Sequence, residues 1–284
     1  MARILIAGCG YVGEAAADLF HGQHWEVAGW TSSAESAARL AKRPYPVRPV
    51  DITDRAAVSA VPGEFDFVVQ CISTSGGDVE DYHRLYLGGA RNLIHRFPSS
   101  RLIFTSSTSV YAQTDGTAVD EASPAEPAHE KGKVLRETEE LILATGGIVA
   151  RLGGIHGPGR SFFLSKFLEG AAVVEPNDRR FINQVHRDDI VSALLLLAEQ
   201  PSAREGQIFN VVGDRPITVR EAYEWLSVRL GEPLPSSGPG AIPRRRGRSN
   251  KQVSNAKLRA LGWEPHYPTF EAAMAKSILP SFGF

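Results

Sequence analysis

The chain has 284 residues, of which 43% are hydrophobic and 22% are charged, and its formal net charge is −1 at pH 7. This length suits one large domain, or a large and a small one, with a substantial hydrophobic core. The nearly balanced charge excludes the strongly basic character of a nucleic-acid-binding protein and gives no sign of attraction to a membrane surface.

Cysteine usage and hydropathy narrow the class of protein further. Cys9 and Cys71 are the two cysteines, and we interpret both as packing residues at strand ends rather than as a disulfide. No apolar run approaches the roughly 20 residues of a membrane span, and the N-terminus lacks the pattern of a signal peptide. No His, Cys and Asp cluster has zinc-ligand spacing, so we expect no metal. These features predict a cytoplasmic protein.

Short apolar strands alternate with amphipathic helices along the first 155 residues. The predicted strands are Arg3–Ala7, Trp25–Trp30, Tyr45–Val50, Phe65–Cys71, Arg101–Thr105 and Ile148–Leu152. The predicted helices are Val12–Phe20, Ser33–Ala41, Asp54–Ala60, Asp81–Arg96 and Lys131–Ala144. Several strands are continuous apolar runs, which is typical of a parallel sheet covered by helices on both faces. The alternation predicts an α/β fold with a Rossmann-type doubly wound parallel sheet.

The alternation stops after Gly153. Thr218 and Glu221 have the spacing of a capping box, which predicts a helix that continues through Leu230. The stretch Glu232–Pro243 is rich in Pro, Gly and Ser and is predicted to be a loop. We therefore predict an NAD(P)-binding domain at residues 1–155, completed by elements from roughly 183–212. Residues 156–284 are predicted to form mainly a smaller substrate-binding or capping region.

The first predicted strand leads directly into a Gly-x-Gly-x-x-Gly turn. In this setting Gly8 permits the tight turn, Gly10 lets the backbone approach a pyrophosphate, and Gly13 lets the helix pack closely. The helix then presents its positive end and backbone N–H groups, at Tyr11, Val12 and Gly13, to the phosphates. The pattern predicts a dinucleotide site; the alternative is a glycine turn that binds nothing.

Four stretches further along the chain carry a family resemblance: Phe104–Tyr111, Ala150–Arg160, Asn183–Asp189 and Phe209–Val212. Their order and spacing resemble the extended short-chain dehydrogenase/reductases of the NAD-dependent epimerase/dehydratase family. The Gly8-Cys9-Gly10 start and the segments 250–258 and 261–263 are similar to an atypical subgroup, the YeeZ-like proteins. One departure is that typical extended members have a glycine where Ala7 stands. The resemblance implies a Rossmann fold and a nicotinamide cofactor.

The resemblance also implies a catalytic set in which a Ser or Thr acts with a Tyr-x-x-x-Lys pair. Ser107 matches the Ser, and Lys133 matches the Lys that also holds the nicotinamide ribose, but His129 stands in the place of the Tyr. Three interpretations are open. His129 is the proton donor if the helix begins early enough to place it on one face with Lys133, whereas the nearby Pro127 favours a loop. Tyr111 is the second candidate donor. In the third interpretation the chemistry is lost and the protein is a non-catalytic NADP(H)-binding sensor or regulatory protein.

The residues after the second predicted strand bear on cofactor choice. No acidic side chain that could bond a ribose 2′-OH occurs between Trp30 and Glu35. The hydroxyls of Thr31, Ser32 and Ser33 favour NADP(H) and leave NAD(H) open; Ser33 is equally suited to cap the next helix. Basic residues follow at Arg39, Lys42 and Arg43.

Two further loops are assigned to the cofactor. Asp51 and Ile52 resemble the family's adenine contact, although Asp51 is also suited to bond its own turn. Cys71, Ile72 and Ser73 follow the fourth predicted strand, where the resemblance places the riboses.

The substrate side is assigned to Thr108, His156, His186 and Arg248. Arg248 belongs to the concentrated positive charge at 244–248, which suits an anionic substrate, the alternative being a solvated loop. The sequence thus predicts an NAD(P)-dependent oxidoreductase or epimerase/dehydratase acting on a small carbonyl, alcohol or sugar-like substrate.

The resemblance also implies a homodimer formed through the helices Asp81–Arg96 and Lys131–Ala144. Apolar residues that would be available for such an interface are Leu85, Leu93, Leu135 and Ile142. The alternative is that all four face the sheet.

Overall fold

The structure is a computed structural model, and it describes residues 1–74, 76–175, 178–200, 206–236 and 249–284. The strands are β1 (Arg3–Ala7), β2 (Glu26–Thr31), β3 (Val47–Pro49), β4 (Phe67–Gln70), β5 (Arg101–Ser107), β6 (Ala118–Val119), β7 (Ile148–Leu152), β8 (Gly154–His156), β9 (Phe181–Ile182), β10 (Gln184–His186), β11 (Ile208–Val211), β12 (Ile217–Thr218) and β13 (Gln252–Val253).

The helices are α1 (Tyr11–Gly22), α2 (Ala34–Arg39), α3 (Arg55–Ala60), α4 (Val79–Tyr82), α5 (Gly89–Arg96), α6 (Glu130–Ala144), α7 (Phe162–Leu168), α8 (Arg187–Glu199), α9 (Val219–Leu230), α10 (Ala256–Ala260), α11 (Phe270–Ala273) and α12 (Leu279–Ser281). Two π-helical segments, His83–Gly88 and Met274–Ile278, join α4 to α5 and α11 to α12. None of the helices in the described ranges is long and apolar enough to cross a membrane.

Within the described residues, seven strands form one parallel sheet in the order β11-β7-β5-β4-β1-β2-β3. β1 lies between β2 and β4, with Ala7 opposite Trp30 on one side and Gln70 on the other. The strand order reverses at β1 and β4, which is the place where doubly wound sheets bind their ligands, beyond the carboxyl ends of the strands. The predicted fold class is confirmed.

The central residues of β1 are buried on both faces of the sheet, which accounts for the continuous apolar run in the sequence. Ile4, Leu5 and Ile6 are all fully buried, because helices on both faces of a parallel sheet leave neither face to solvent. The predicted bounds of β1 and β7 are confirmed, whereas β5 extends two residues beyond the prediction, to Ser107.

The described residues group into two compact units. Unit 1 comprises Met1–Val110, Ala125–Arg151 and Ile190–Phe209, and unit 2 comprises Tyr111–Pro124, Leu152–Asp189 and Asn210–Phe284. Within unit 2, a core that includes Leu164, Tyr223 and Phe270 packs helices α7, α9 and α11 together. The capping box predicted at Thr218 and Glu221 is present at the start of α9.

The side chains expected at a dimer interface require a correction. Leu93, Leu135 and Ile142 are buried inside the monomer, and Leu85 is half-buried. The apolar stripes of α5 and α6 are used in packing within the chain, since an amphipathic helix turns its apolar face to the core. For these three side chains the alternative interpretation, that they face inward, is correct.

Candidate functional site

The glycine turn after β1 is held by the neighbouring strands. The backbone N–H groups of Gly8 and Cys9 both donate to the carbonyl of Trp30 at the end of β2, at 3.1 and 2.8 Å. Gly8 has a φ of +115°, and a Cβ added there would lie 2.5 Å from the carbonyl oxygen of Cys71. Both observations require glycine at this position, because an L side chain would be strained and would also collide with backbone.

The two other glycines of the turn have opposite surroundings. A Cβ at Gly13 would lie 2.0 Å from the carbonyl oxygen of Gly8, so only glycine lets α1 approach the turn this closely. A Cβ at Gly10 would meet no atom within 4 Å. Gly10 is the N-cap of α1 and, having no side chain, makes no capping hydrogen bond of its own. The turn is therefore tightly packed at Gly8 and Gly13 and open to a ligand at Gly10. It lies at the N-terminus of a helix, where backbone N–H groups are suited to bind an anion.

This cradle fits the pyrophosphate of a dinucleotide. The space over Gly10 admits a group that approaches the backbone, and the first turn of α1, including Val12 and Gly13, supplies donors and the positive end of the helix dipole. Tyr11, the first residue of α1, is partly exposed.

The segment after β4 lies against the same turn. The N–H of Cys71 donates to the carbonyl of Ala7 at 2.9 Å, and the Ile72 side chain would be 2.9 Å from a Cβ at Gly8. Ser73 is exposed. Burial raises the pKa of Cys71 to about 11 and that of Cys9 to about 12, so both thiols stay protonated near neutral pH. The segment therefore lies at the carboxyl end of β4, beside the glycine turn.

The hydroxyl groups after β2 are largely engaged. Thr31 is buried and its Oγ1 donates to the carbonyl of Ser33 at 3.0 Å. Ser33 is the N-cap of α2 and accepts from the N–H of Ser36 at 3.2 Å, as the capping interpretation predicts. Ser32 is exposed.

The basic residues that follow are engaged as well. Arg39 and Arg43 both bond Glu14 of α1, and Arg43 also pairs with Asp18 at 3.0 Å. Burial raises the pKa of Glu14, but the hydrogen bonds from Arg43 and Arg39 outweigh it and hold that pKa below its usual range. A 2′-phosphate would compete with Glu14 for these two guanidinium groups.

Asp51 and Ile52 follow β3 and have partners of their own. Asp51 Oδ1 accepts from both the N–H and the hydroxyl of Thr53, at 2.9 and 2.8 Å, as expected of a residue that stabilises its own turn. Ile52 is buried, and its carbonyl accepts from the Asn92 side chain at 2.9 Å.

Ser107 and Thr108 stand where β5 ends. Ser107 is half-buried, and its Oγ accepts from the N–H of Ser109 at 3.2 Å. Thr108 is buried and opens a short helical turn over Thr108–Val110. Helix α6 packs along both β5 and this turn.

The relation expected between His129 and Lys133 depends on where α6 begins, and it begins at Glu130. His129 is the N-cap, with extended backbone, and its Nδ1 accepts from the N–H of Gly132 at 2.9 Å. The condition for a shared helical face is therefore not met, because His129 lies outside the helix. Lys133 is 58% exposed and pairs with Glu130 at 2.7 Å.

Sequence reasoning missed a buried ionic network behind Ser107. Glu139 of α6 is fully buried; it accepts from the hydroxyl of Ser106 at 2.6 Å and from two nitrogens of the buried Arg151, at 3.0 and 2.7 Å. Arg136 adds a further bond to the same carboxylate. The network fastens α6 to β5 and β7. Its signal in the sequence is a charged residue inside the apolar stripe of α6.

Sequence reasoning also passed over Lys131, which is half-buried in the first turn of α6. Its Nζ donates to the carbonyl of Gly77 and lies 5.4 Å from the ring centroid of Tyr82. The helical period would have identified it, because Val134 and Leu135, three and four residues on, are apolar.

In unit 2, Tyr111 is buried and its hydroxyl donates to Asn210 Oδ1 at 2.9 Å. Its carbonyl accepts from the buried Lys251 Nζ at 2.9 Å, and burial lowers the pKa of Lys251 to about 8. These contacts hold the Tyr111 ring within the packing of unit 2 and favour a structural role for it.

His156 and His186, also in unit 2, form a buried aromatic group with ring centroids 6.0 Å apart. The Nδ1 of His156 is buried and has no hydrogen-bond partner among the described residues. His186 Nδ1 accepts from the N–H of Asp188, and its Nε2 lies 2.9 Å from the Ser277 hydroxyl. Burial lowers the pKa of His156 to about 3 and that of His186 to about 4, so both rings are neutral near pH 7. Arg248, the remaining substrate candidate, lies outside the described residues.

Comparison with known proteins places these features in a wider group. The sequence profile described as the NAD dependent epimerase/dehydratase family matches residues 4–212. The chain is 31% identical to Protein YeeZ of Escherichia coli strain K12 over 287 residues, which cover 94% of this chain and 97% of that protein.

Two solved structures illustrate the similarity of fold. UDP-glucose 4-epimerase of Thermus thermophilus, in complex with NAD, matches with a TM-score of 0.82 at 21% identity and covers 99% of each chain. dTDP-glucose 4,6-dehydratase of Bacillus anthracis strain Ames, in complex with NAD, matches with a TM-score of 0.79 at 18% identity, covering 98% of this chain and 96% of that one.

Proposed function

Because this chain belongs to the NAD-dependent epimerase/dehydratase family, we propose that it binds a nicotinamide dinucleotide at Gly8–Gly13. With it the protein acts as an oxidoreductase or as an epimerase or dehydratase on a small carbonyl, alcohol or sugar-like substrate. One observation carries the proposal: a side chain cannot be placed at Gly8 or Gly13, whereas the space over Gly10, at the N-terminus of α1, is open. The open space gives a pyrophosphate room to approach the backbone of the turn.

The chain's own residues have distinct tasks in this proposal. The turn and the first N–H groups of α1 bind the pyrophosphate, and the segment after β4 borders the riboses. The bound dinucleotide supplies hydride chemistry. The Ser107 hydroxyl, at the carboxyl end of β5, donates a hydrogen bond to the reacting oxygen of the substrate.

A second candidate function is a cofactor-binding sensor or regulatory protein without catalysis. The specific observation in its favour is that His129 serves as a helix cap, and Lys133 is exposed and paired with Glu130. Turnover in a broad screen of carbonyl, alcohol and sugar-nucleotide substrates distinguishes the two, because a sensor binds the dinucleotide and converts none of them.

A preference for NADP over NAD is part of the proposal and rests on the absence of an acid between Trp30 and Glu35, and on the exposed hydroxyl of Ser32. A cytoplasmic location and a homodimeric state remain predictions from the sequence and its family resemblance.

The proposal is tested by calorimetric titration of NADH and NADPH into the protein and two matched variants. Gly10→Val places a side chain in the open space over the turn, where the fold accommodates it. Gly22→Val is the control, since Gly22 lies at the other end of α1 and is equally free of contacts. We expect Gly10→Val to abolish binding and Gly22→Val to retain it. Equal affinity in both variants would refute the proposed site.

A further inference from the structure

Two lysines lie close together in α6 but on opposite sides of it. Lys131 and Lys133 are two residues apart, which is about 200° around a helix of 3.6 residues per turn. The positions that share a face with Lys131, three, four, seven and eight residues on, are all buried, namely Val134, Leu135, Thr138 and Glu139. Those that share a face with Lys133 include the exposed Glu137 and Glu140. Lys131 is therefore on the inner side of α6, and Lys133 is on the outer side.

The position of Lys131 along the helix places it near the carboxyl edge of the sheet. Helix α6 connects the parallel strands β5 and β7, so it runs antiparallel to both. Glu139 contacts Ser106 near the end of β5. Lys131 lies eight residues earlier, which is about 12 Å further towards that edge at 1.5 Å per residue. Open α/β sheets bind their ligands at this edge.

The contacts of Lys131 connect it to the glycine turn. Its Nζ donates to the carbonyl of Gly77 and lies over the ring of Tyr82. Gly77 belongs to the segment after β4, whose first residue, Cys71, lies directly against Gly8. Gly77 is six residues after Cys71 in the chain, so the carbonyl that Lys131 bonds is close in sequence to the residue that borders the glycine turn.

The charge on Lys131 is less neutralised than that on Lys133. Lys133 forms an ion pair with Glu130, whereas no carboxylate in the described ranges lies within ion-pair distance of Lys131. The hydrogen bond from Arg84 is the main reason that the pKa of Asp81 is lowered, and the charge of Lys131 adds only a small part. A cation in the first turn also opposes the helix dipole. Lys131 is half-buried at a position where the helix dipole disfavours a positive charge. Such an ammonium is suited to bind a polar ligand.

We propose that Lys131, and not Lys133, supplies the cation of the dinucleotide site. Its ammonium donates to a ribose hydroxyl of the bound nicotinamide dinucleotide while it holds the segment after β4 against α6. This inference rests on the proposed function, and it assigns to Lys131 the cofactor contact that the family resemblance gives to Lys133.

The test compares Lys131→Met with Lys133→Met by calorimetric titration of NADH. Methionine keeps the length of the side chain and removes the charge. We expect Lys131→Met to weaken NADH binding about tenfold or more, the worth of a charged hydrogen bond, and Lys131→Arg to restore most of the affinity. We expect Lys133→Met to bind NADH as the unaltered protein does. The reverse pattern, or equal affinity in all variants, would overturn the inference.

A second measurement needs no variant and so does not depend on how Lys131→Met folds. The unaltered protein is acetylated with acetic anhydride, with and without NADH, and the modified lysines are quantified by mass spectrometry. NADH should protect Lys131 and leave the labelling of Lys133 unchanged; unchanged labelling of Lys131 would contradict the inference. If the unaltered protein binds NADPH but not NADH, NADPH takes the place of NADH in both experiments; if it binds neither, the proposed function itself fails. If it binds NADH without protecting Lys131, only the assignment of Lys131 fails.

Discussion

Replacing Glu139 with glutamine should destabilise the protein strongly, although it changes only one oxygen to an amide nitrogen. Glu139 is fully buried and bonds Arg151, whose side chain is 2% exposed. The variant leaves this guanidinium buried without its counter-charge, and the single carbonyl oxygen of the amide cannot accept from all four donors that now share the carboxylate. Removing one partner of a buried ion pair costs about 3–5 kcal/mol. We expect a loss of that size in the free energy of unfolding.

Glu137→Gln provides the matched control two residues earlier on the same helix. Its side chain is 51% exposed, and its ion pair with Arg91 is 3.4 Å long. Exposed pairs contribute about 0–1 kcal/mol, so this variant should unfold nearly as the unaltered protein does. The two substitutions are chemically identical, and burial is what separates their expected effects.

Equilibrium unfolding in urea, followed by far-ultraviolet circular dichroism, measures both losses. The double variant Glu139→Leu with Arg151→Leu extends the test, because removing both charges leaves no buried ion unpaired. We expect the double variant to be less destabilised than the sum of its two single variants. A loss below about 1 kcal/mol for Glu139→Gln, equal to that of the control, would refute this reasoning.

Two other outcomes are expected. Burial holds the pKa of His156 in the folded protein at about 3, whereas the unfolded chain binds a proton at this residue below about pH 6.5, so the protein loses stability as the pH is lowered. His156→Leu should reduce that loss by about 1.4 kcal/mol per pH unit between pH 4 and 6. Burial raises the pKa of Asp189 to about 6, which has the opposite effect on stability, but Asp189 is present in both proteins and its effect cancels in the comparison. Identical pH profiles of the two proteins in urea unfolding would contradict a lowered pKa for His156. Ser32→Asp adds a carboxylate at an exposed position after β2, which should repel a 2′-phosphate and shift the ratio of NADPH to NADH affinity about tenfold towards NADH. An unchanged ratio in calorimetry would place the 2′ position elsewhere.

Local patterns in the sequence were sufficient for much of the fold. The run Ile4-Leu5-Ile6 is apolar on both faces of the strand, so its burial between two helical layers was predictable. The glycine turn was predictable from the spacing of its glycines, of which Gly8 and Gly13 each answer a separate steric demand. The capping box at Thr218 is likewise a local signal, since both its hydrogen bonds join residues three apart.

The site was harder to predict because its residues are related through the fold. The family pattern assigns the cofactor lysine to Lys133, whereas the 3.6-residue period of α6 indicates that Lys131 is the lysine on the inner side of the helix. Pro127 was a correct sign that His129 precedes the helix. The pairing of Glu139 with Arg151 joins a helix to a strand, and a single sequence contains no signal that connects those two positions.

A crystal structure of the protein grown with NADH or NADPH would show whether a nicotinamide dinucleotide binds at the turn after β1. We expect the pyrophosphate over Gly10, within hydrogen-bond distance of the first N–H groups of α1. We also expect the riboses beside the segment after β4. A dinucleotide bound elsewhere on the protein, or an empty turn at a saturating concentration of both dinucleotides, would contradict this expectation.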